Sequence, residues 1–327
     1  MNTNGDSDIH LLSAVETQPV RRQRSKISRL FVGPFGVRTG WKILLFLLLF
    51  VGVALGLRPV ALWVAHRTHS ASASPEFALL RELIGVGGVL IATAVMARWI
   101  DRKPVGYFGI PAGEAFGSKF WVGVASGLGT LALQLELMHL GGWLDFGTVQ
   151  LQDLAILHYG LAWAAMFLCV GITEEGLLRG YLLRVSTDGL SRLSGVWSFW
   201  VAALVLSLLF GAAHLGNAGE TKFGIFMVFL DGMVMCFSLW RTGNLWFAIG
   251  NHAAWDWGQT FLFGTPNSGY AAQGALMRPS VHGPVLLAGG SDGPEGSLLV
   301  LISEGLVLLV VAVLYRQRQF RLVREGE

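Results

Sequence analysis

The chain has 327 residues, 53% of them hydrophobic and only 14% charged, whereas soluble domains carry about 25% charged residues. Its formal net charge is +3, and the basic residues cluster beside apolar runs, not among aromatics on a polar face, which excludes nucleic acid as the expected partner. Cys169 and Cys236 both fall inside apolar runs and read as small buried hydrophobes, not as a disulfide framework or a cysteine metal site.

Residues 1–40 are polar and too weakly apolar for a signal sequence, so they read as a flexible cytoplasmic tail. Eight apolar segments follow, which predicts an all-α, polytopic transmembrane helical bundle of about eight spans. The first runs from Trp41 to about Ala65, with Pro59 expected to kink or end the helix. The second and third are about Leu79–Ile100 and Phe120–Leu144, which closes an N-terminal group of three spans over 41–144. Residues 154–263 hold four more: one from Leu154, then about Val196–Leu215, Phe223–Trp240 and Leu245–Phe263. A Gly/Pro/Ser-rich loop occupies 264–297, and its apolar stretch Val285–Ala288 is suited to dip into the interface. Residues 298–327 are the last span and a basic tail.

Lys and Arg favour alternate connections. Arg21, Arg22, Arg24, Lys26, Arg29 and Arg38 precede the first span, and Arg102, Lys103 and Lys119 follow the second. Arg184 and Arg192 follow the fourth, Arg241 the sixth, and Arg316, Arg318, Arg321 and Arg324 the eighth. Positive charge stays on the cytoplasmic side, so both termini are expected there and loop 264–297 outside, in a cell membrane of the bacterial inner type. The fourth segment is long. From Leu154 to Ser186 it would span about 50 Å at ~1.5 Å per residue, against a ~30 Å hydrocarbon core. It must tilt and project, or break near Gly171.

This fourth segment carries Glu174-Glu175-Gly-Leu-Leu-Arg179. Each carboxylate in the membrane costs roughly 2.5–3.5 kcal/mol on insertion scales, which is tolerated where it faces a bundle interior or a wet cavity. Neighbours on a helix point about 100° apart. Glu175 and Arg179, four apart with the acid first, are set to pair. Glu174 is left on another face without a local cation, the situation of a general base. Two later spans each bring a histidine, in Phe210-Gly-Ala-Ala-His214 and in His252-Ala-Ala-Trp-Asp256. Asp256, one turn beyond His252, is placed either to orient its ring or to act on the reacting centre. A glutamate and two histidines on three spans point to water activated for hydrolysis. Glu136-x-x-His139 has metal-ligand spacing, and Leu230-Asp231-Gly232 resembles one half of a zinc-protease signature, but neither has its partner motif. Asp231 and Glu304 read as structural acids of the membrane interior.

In order and span placement the three motifs resemble those of the CPBP family of intramembrane proteases, the CAAX prenyl protease and bacteriocin-processing (Abi-type) group, over about residues 154–262. The resemblance implies a membrane endopeptidase in which Glu174 activates water, His214 and His252 position it and stabilise charge, and Glu175, Arg179 and Phe210 give structural support. The family pattern has Asn or Asp at the position of Asp256; as an ionised Asp it cannot donate to an oxyanion, so it is either protonated or acts by orienting His252. Metal dependence stays open: a divalent ion such as Zn would take Glu174, His214 and His252 as ligands. The expected partners are the bilayer and a membrane-protein or lipid-anchored peptide substrate. Two rival readings are a non-catalytic scaffold or immunity protein of the same fold and a proton-coupled transporter.

Overall fold

The computed structural model describes residues 30–33, 36–67, 74–217 and 219–322. Most of the expected tail at 1–40, with Arg21 to Arg29, lies outside them, as does Arg324. Before Thr39 a separate unit holds a short antiparallel pair, β1 (Val32–Gly33) with β2 (Gly36–Val37).

From Thr39 onward the apolar runs fold as helices. They are α1 (Thr39–Arg67), α2 (Pro75–Val95, continued by wide turns to Asp101), α3 (Ser118–Leu140) and α4 (Asp153–Glu174). A π-helical stretch, Glu175–Leu182, joins α4 to α5 (Leu183–Gly189). Then come α6 (Gly195–Ala213), α7 (Lys222–Thr242), α8 (Trp246–Trp257, continued by a wide turn to Leu262) and α9 (Val300–Leu314). Local signals set the starts. Ser74 accepts from the Phe77 amide with Pro75 at the first helical position, and Thr221 accepts from the Gly224 amide. Gly243, at φ 75°, ends α7 in the left-handed conformation that glycine adopts freely.

The architecture is an all-α membrane bundle. Among the described residues, six helices are long and apolar enough to cross a membrane, the last ending at Thr242. The seventh and eighth expected spans are helical but shorter, 12 residues for α8 and 15 for α9. Two local expectations left alternatives, and one alternative of each falls. Pro59 does not end the first helix, which runs on to Arg67; apolar surroundings enforce helix even across a residue that cannot donate its own bond. The fourth segment does not break at Gly171 but is one 37-residue helical run, Asp153–Gly189. Its irregularity comes a turn later, at Glu175–Leu182, where the backbone widens beside the paired acids.

Small residues let α3 and α8 touch backbone to backbone. A Cβ on Gly123 would sit 2.2 Å from the Phe247 carbonyl oxygen, one on Gly127 2.4 Å from that of Asn251, and one on Gly250 2.3 Å from that of Phe120. Close approach of this kind drives helix association where water supplies no hydrophobic force, and here it fixes the helix that carries His252. The long loop is also structured. Met277–Val281 (β4) pairs antiparallel with Leu144–Val149 (β3), with a bulge at Gly147/Thr148. Val285–Ala288 forms one helical turn that exposes Val285 and Leu286 and buries Ala288.

Candidate active site

Glu174 closes α4 and Glu175 opens the wide stretch beyond it. The Arg179 guanidinium donates to Glu175 Oε1 at 3.1 Å, and both side chains are fully or almost fully buried. Arg179 also lies over the Phe210 ring, 4.2 Å from its centroid, a cation–π contact. Phe210 in turn meets the His214 ring edge to face at 5.0 Å. One turn of α6 therefore links the Arg179 anchor to His214, whose Nδ1 lies 2.9 Å from the Phe210 carbonyl oxygen. That leaves Nε2 as the free nitrogen of His214. Gly232 has a packing role: a Cβ there would meet Arg179 Nη2 and Ser207 Oγ at 2.9 Å.

His252 enters from α8 and is surrounded by three carboxylates. Its Nδ1 is 3.1 Å from Glu175 Oε1, while its Nε2 is 3.4 Å from Asp256 Oδ2 and 3.7 Å from Glu174 Oε2. Glu175, ionised beside Arg179, can only accept, so the Nδ1 proton of His252 points at it. Nε2 then faces Glu174 and Asp256. Glu175 thus does more than hold Arg179, because it also orients the ring. The spacing of the first motif carries no sign of that second contact, which depends on how α8 packs against α4.

Glu174, His214, His252 and Asp256 all line one cavity of about 620 Å³. Glu174 is the more open of the two paired acids, one-third exposed against none for Glu175. Three further cavity residues were not assigned to the site by sequence reasoning: Asn251, Asp231 and Glu304. Asn251 is buried, and its Nδ2 has no hydrogen-bond partner. Its signal, an amide directly before His252, is readable only once α8 is placed.

No three His, Cys, Asp or Glu side chains among the described residues are grouped to hold a metal ion. His252 Nε2 faces Glu174 and Asp256, and His214 Nδ1 faces a backbone carbonyl. At the Glu136/His139 pair, His139 Nδ1 lies 2.9 Å from the Leu144 carbonyl oxygen, at the start of β3. Cys169 and Cys236 are free and buried.

Residues 156–258 match the family model described as Type II CAAX prenyl endopeptidase Rce1-like. This segment runs from α4 into the wide turn after α8 and contains all three motifs, so over these residues the chain is similar to CAAX-protease-like intramembrane proteases. No curated protein and no solved structure matches the chain.

Proposed function

We propose that this protein hydrolyses a peptide bond in or beside the membrane with a water activated by Glu174. The carrying observation is the cluster in which His252 faces Glu174 and Asp256, opening on the cavity that His214 shares. In this reading the Glu174 carboxylate takes a proton from water as its oxygen attacks the scissile carbonyl carbon. The tetrahedral oxyanion accepts hydrogen bonds from His214 Nε2 and from the Asn251 amide, which donates where an ionised Asp256 cannot. Glu174 then returns the proton to the leaving amine as the C–N bond breaks. Asp256 holds Nε2 of His252, and Glu175 holds Nδ1, so the ring keeps one orientation throughout. No step is routed through a metal.

The test is Glu174→Gln, purified in detergent beside the wild type and compared for peptide cleavage and thermal stability. Cleavage is expected to fall by about 10²–10⁴-fold, the usual contribution of a general base, with an unchanged melting temperature. A variant that cleaves normally rules the mechanism out.

A further inference from the structure

The helical unit has two unlike ends. One is basic, with Lys42, Arg102, Lys103, Lys119, Arg184 and Arg241 near the helix termini. It is also closed. Lys42 and the Tyr181 hydroxyl both bond to Asp101, at 2.6 and 2.9 Å. Arg184 is sandwiched between the rings of Tyr107 and Phe320 while it donates to the Arg321 carbonyl. The other end has only Arg67, Arg81, Lys222 and Arg278 near its helix termini and loops. There Glu76 meets His158 at 2.9 Å, and the β3–β4 ribbon and loop 264–297 gather.

The cavity that holds Glu174 reaches this second end. Its lining includes Ser74 before α2, Asn217 between α6 and α7, and Asn267, Tyr270 and Glu295 from the loop after α8. None of the six basic-end cations lines it. Depth matters as well. Glu174 lies 16 positions beyond His158 on one continuous helix, roughly 24 Å at ~1.5 Å per residue. An extended chain covers that distance in about seven residues. Below Glu174, the buried Glu175–Arg179 pair lies between this cavity and the smaller one at the basic end.

Lys and Arg mark cytoplasmic connections. We propose that the cavity opens on the non-cytoplasmic face and takes an extended, extracytoplasmic segment of a membrane protein, not a lipid-modified chain end in the cytoplasm. The substrate half of this proposal rests on the hydrolase reading above; the side of access does not.

Two single-cysteine additions decide it, Tyr270→Cys at the cavity mouth and Gln317→Cys at the basic end, since both positions are exposed and the native cysteines are buried. Cells expressing each are treated with a membrane-impermeant sulfonated maleimide before and after permeabilisation. Tyr270→Cys is expected to label fully in intact cells, and Gln317→Cys only after permeabilisation. The reverse pattern overturns the proposal and leaves the hydrolase reading standing. In parallel, a quenched fluorescent peptide is added to right-side-out and inside-out vesicles of the wild type. Cleavage by right-side-out vesicles alone is the expected result, and cleavage by inside-out vesicles alone overturns it. No cleavage from either face, with labelling as expected, removes the hydrolase reading but not the side of access.

Discussion

The basic end and the cavity end of this bundle treat charge in opposite ways. At the basic end each acid has a partner: Asp101 has Lys42 and Tyr181, Asp188 has Tyr107, and Glu114 has Lys119 and Asn244. The Lys119 hydrogen bond holds the Glu114 carboxyl below the usual carboxylate range. At the cavity end, burial pushes the Glu220 and Glu295 carboxyls above that range instead. Apolar surroundings make a poorly compensated polar group costly, so the first end reads as structure, while the second keeps Glu220 and Glu295 buried beside other carboxylates. Glu175 lies on the boundary, as it anchors Arg179 on one side and orients His252 on the other.

Breaking that boundary should have the largest effect on stability. Glu175→Gln leaves Arg179 as a buried charge without its counter-ion, a loss of about 3–5 kcal/mol for a fully buried pair. It also weakens the acceptor that fixes Nδ1 of His252, so cleavage should fall together with the melting temperature. Glu174→Gln should separate the two, losing cleavage alone. A Glu175→Gln protein as stable as the wild type would mean that the pair does not hold the boundary.

A change confined to the basic end should be smaller and silent in catalysis. Tyr181→Phe deletes one hydrogen bond to a charged acceptor, a loss of about 1.5 kcal/mol, while Lys42 still pairs with Asp101. The melting temperature should drop and peptide cleavage per folded molecule should hold. A large catalytic loss in this variant would show that the two ends are coupled and would blur the contrast.

The basic end was the more legible of the two in the sequence. Apolar run length locates the helices, and Lys/Arg bias separates alternate connections, because both are sums over many residues. The three motifs are legible for the same reason the membrane makes them rare: polar residues there need a purpose. The cavity end depends on contacts between segments far apart in the chain. The pairing of Leu144 with Val281 has no local signature, since each strand is short and one lies in a Gly/Pro-rich loop. The bond from His252 to Glu175 and the cavity position of Asn251 both follow from how α8 packs against α4 at Gly171 and against α3 at its glycines, which a pattern along one helix does not record.

The smallest effect is expected at the cavity mouth, in Glu295. Its Oε1 accepts the Ser268 backbone N–H and ties together the two halves of the loop between α8 and α9. Burial, followed by the nearby Glu220 and Asp256 carboxylates, raises its carboxyl well above the ordinary range. A carboxyl raised on folding binds more protons in the folded state than in the unfolded one. Its contribution is therefore full below the unfolded pKa and is lost as pH rises through the folded one. Glu295→Gln keeps the carbonyl that accepts from Ser268 and removes the titration. The variant should match the wild type within about 1 kcal/mol in acid, where the wild-type carboxyl is also neutral and makes the same bond. On the alkaline side it should be the more stable of the two. Thermal unfolding of both proteins across pH 4–9 checks this: a melting temperature for Glu295→Gln that falls with pH as steeply as the wild type's would show that this carboxyl is not what loosens the mouth.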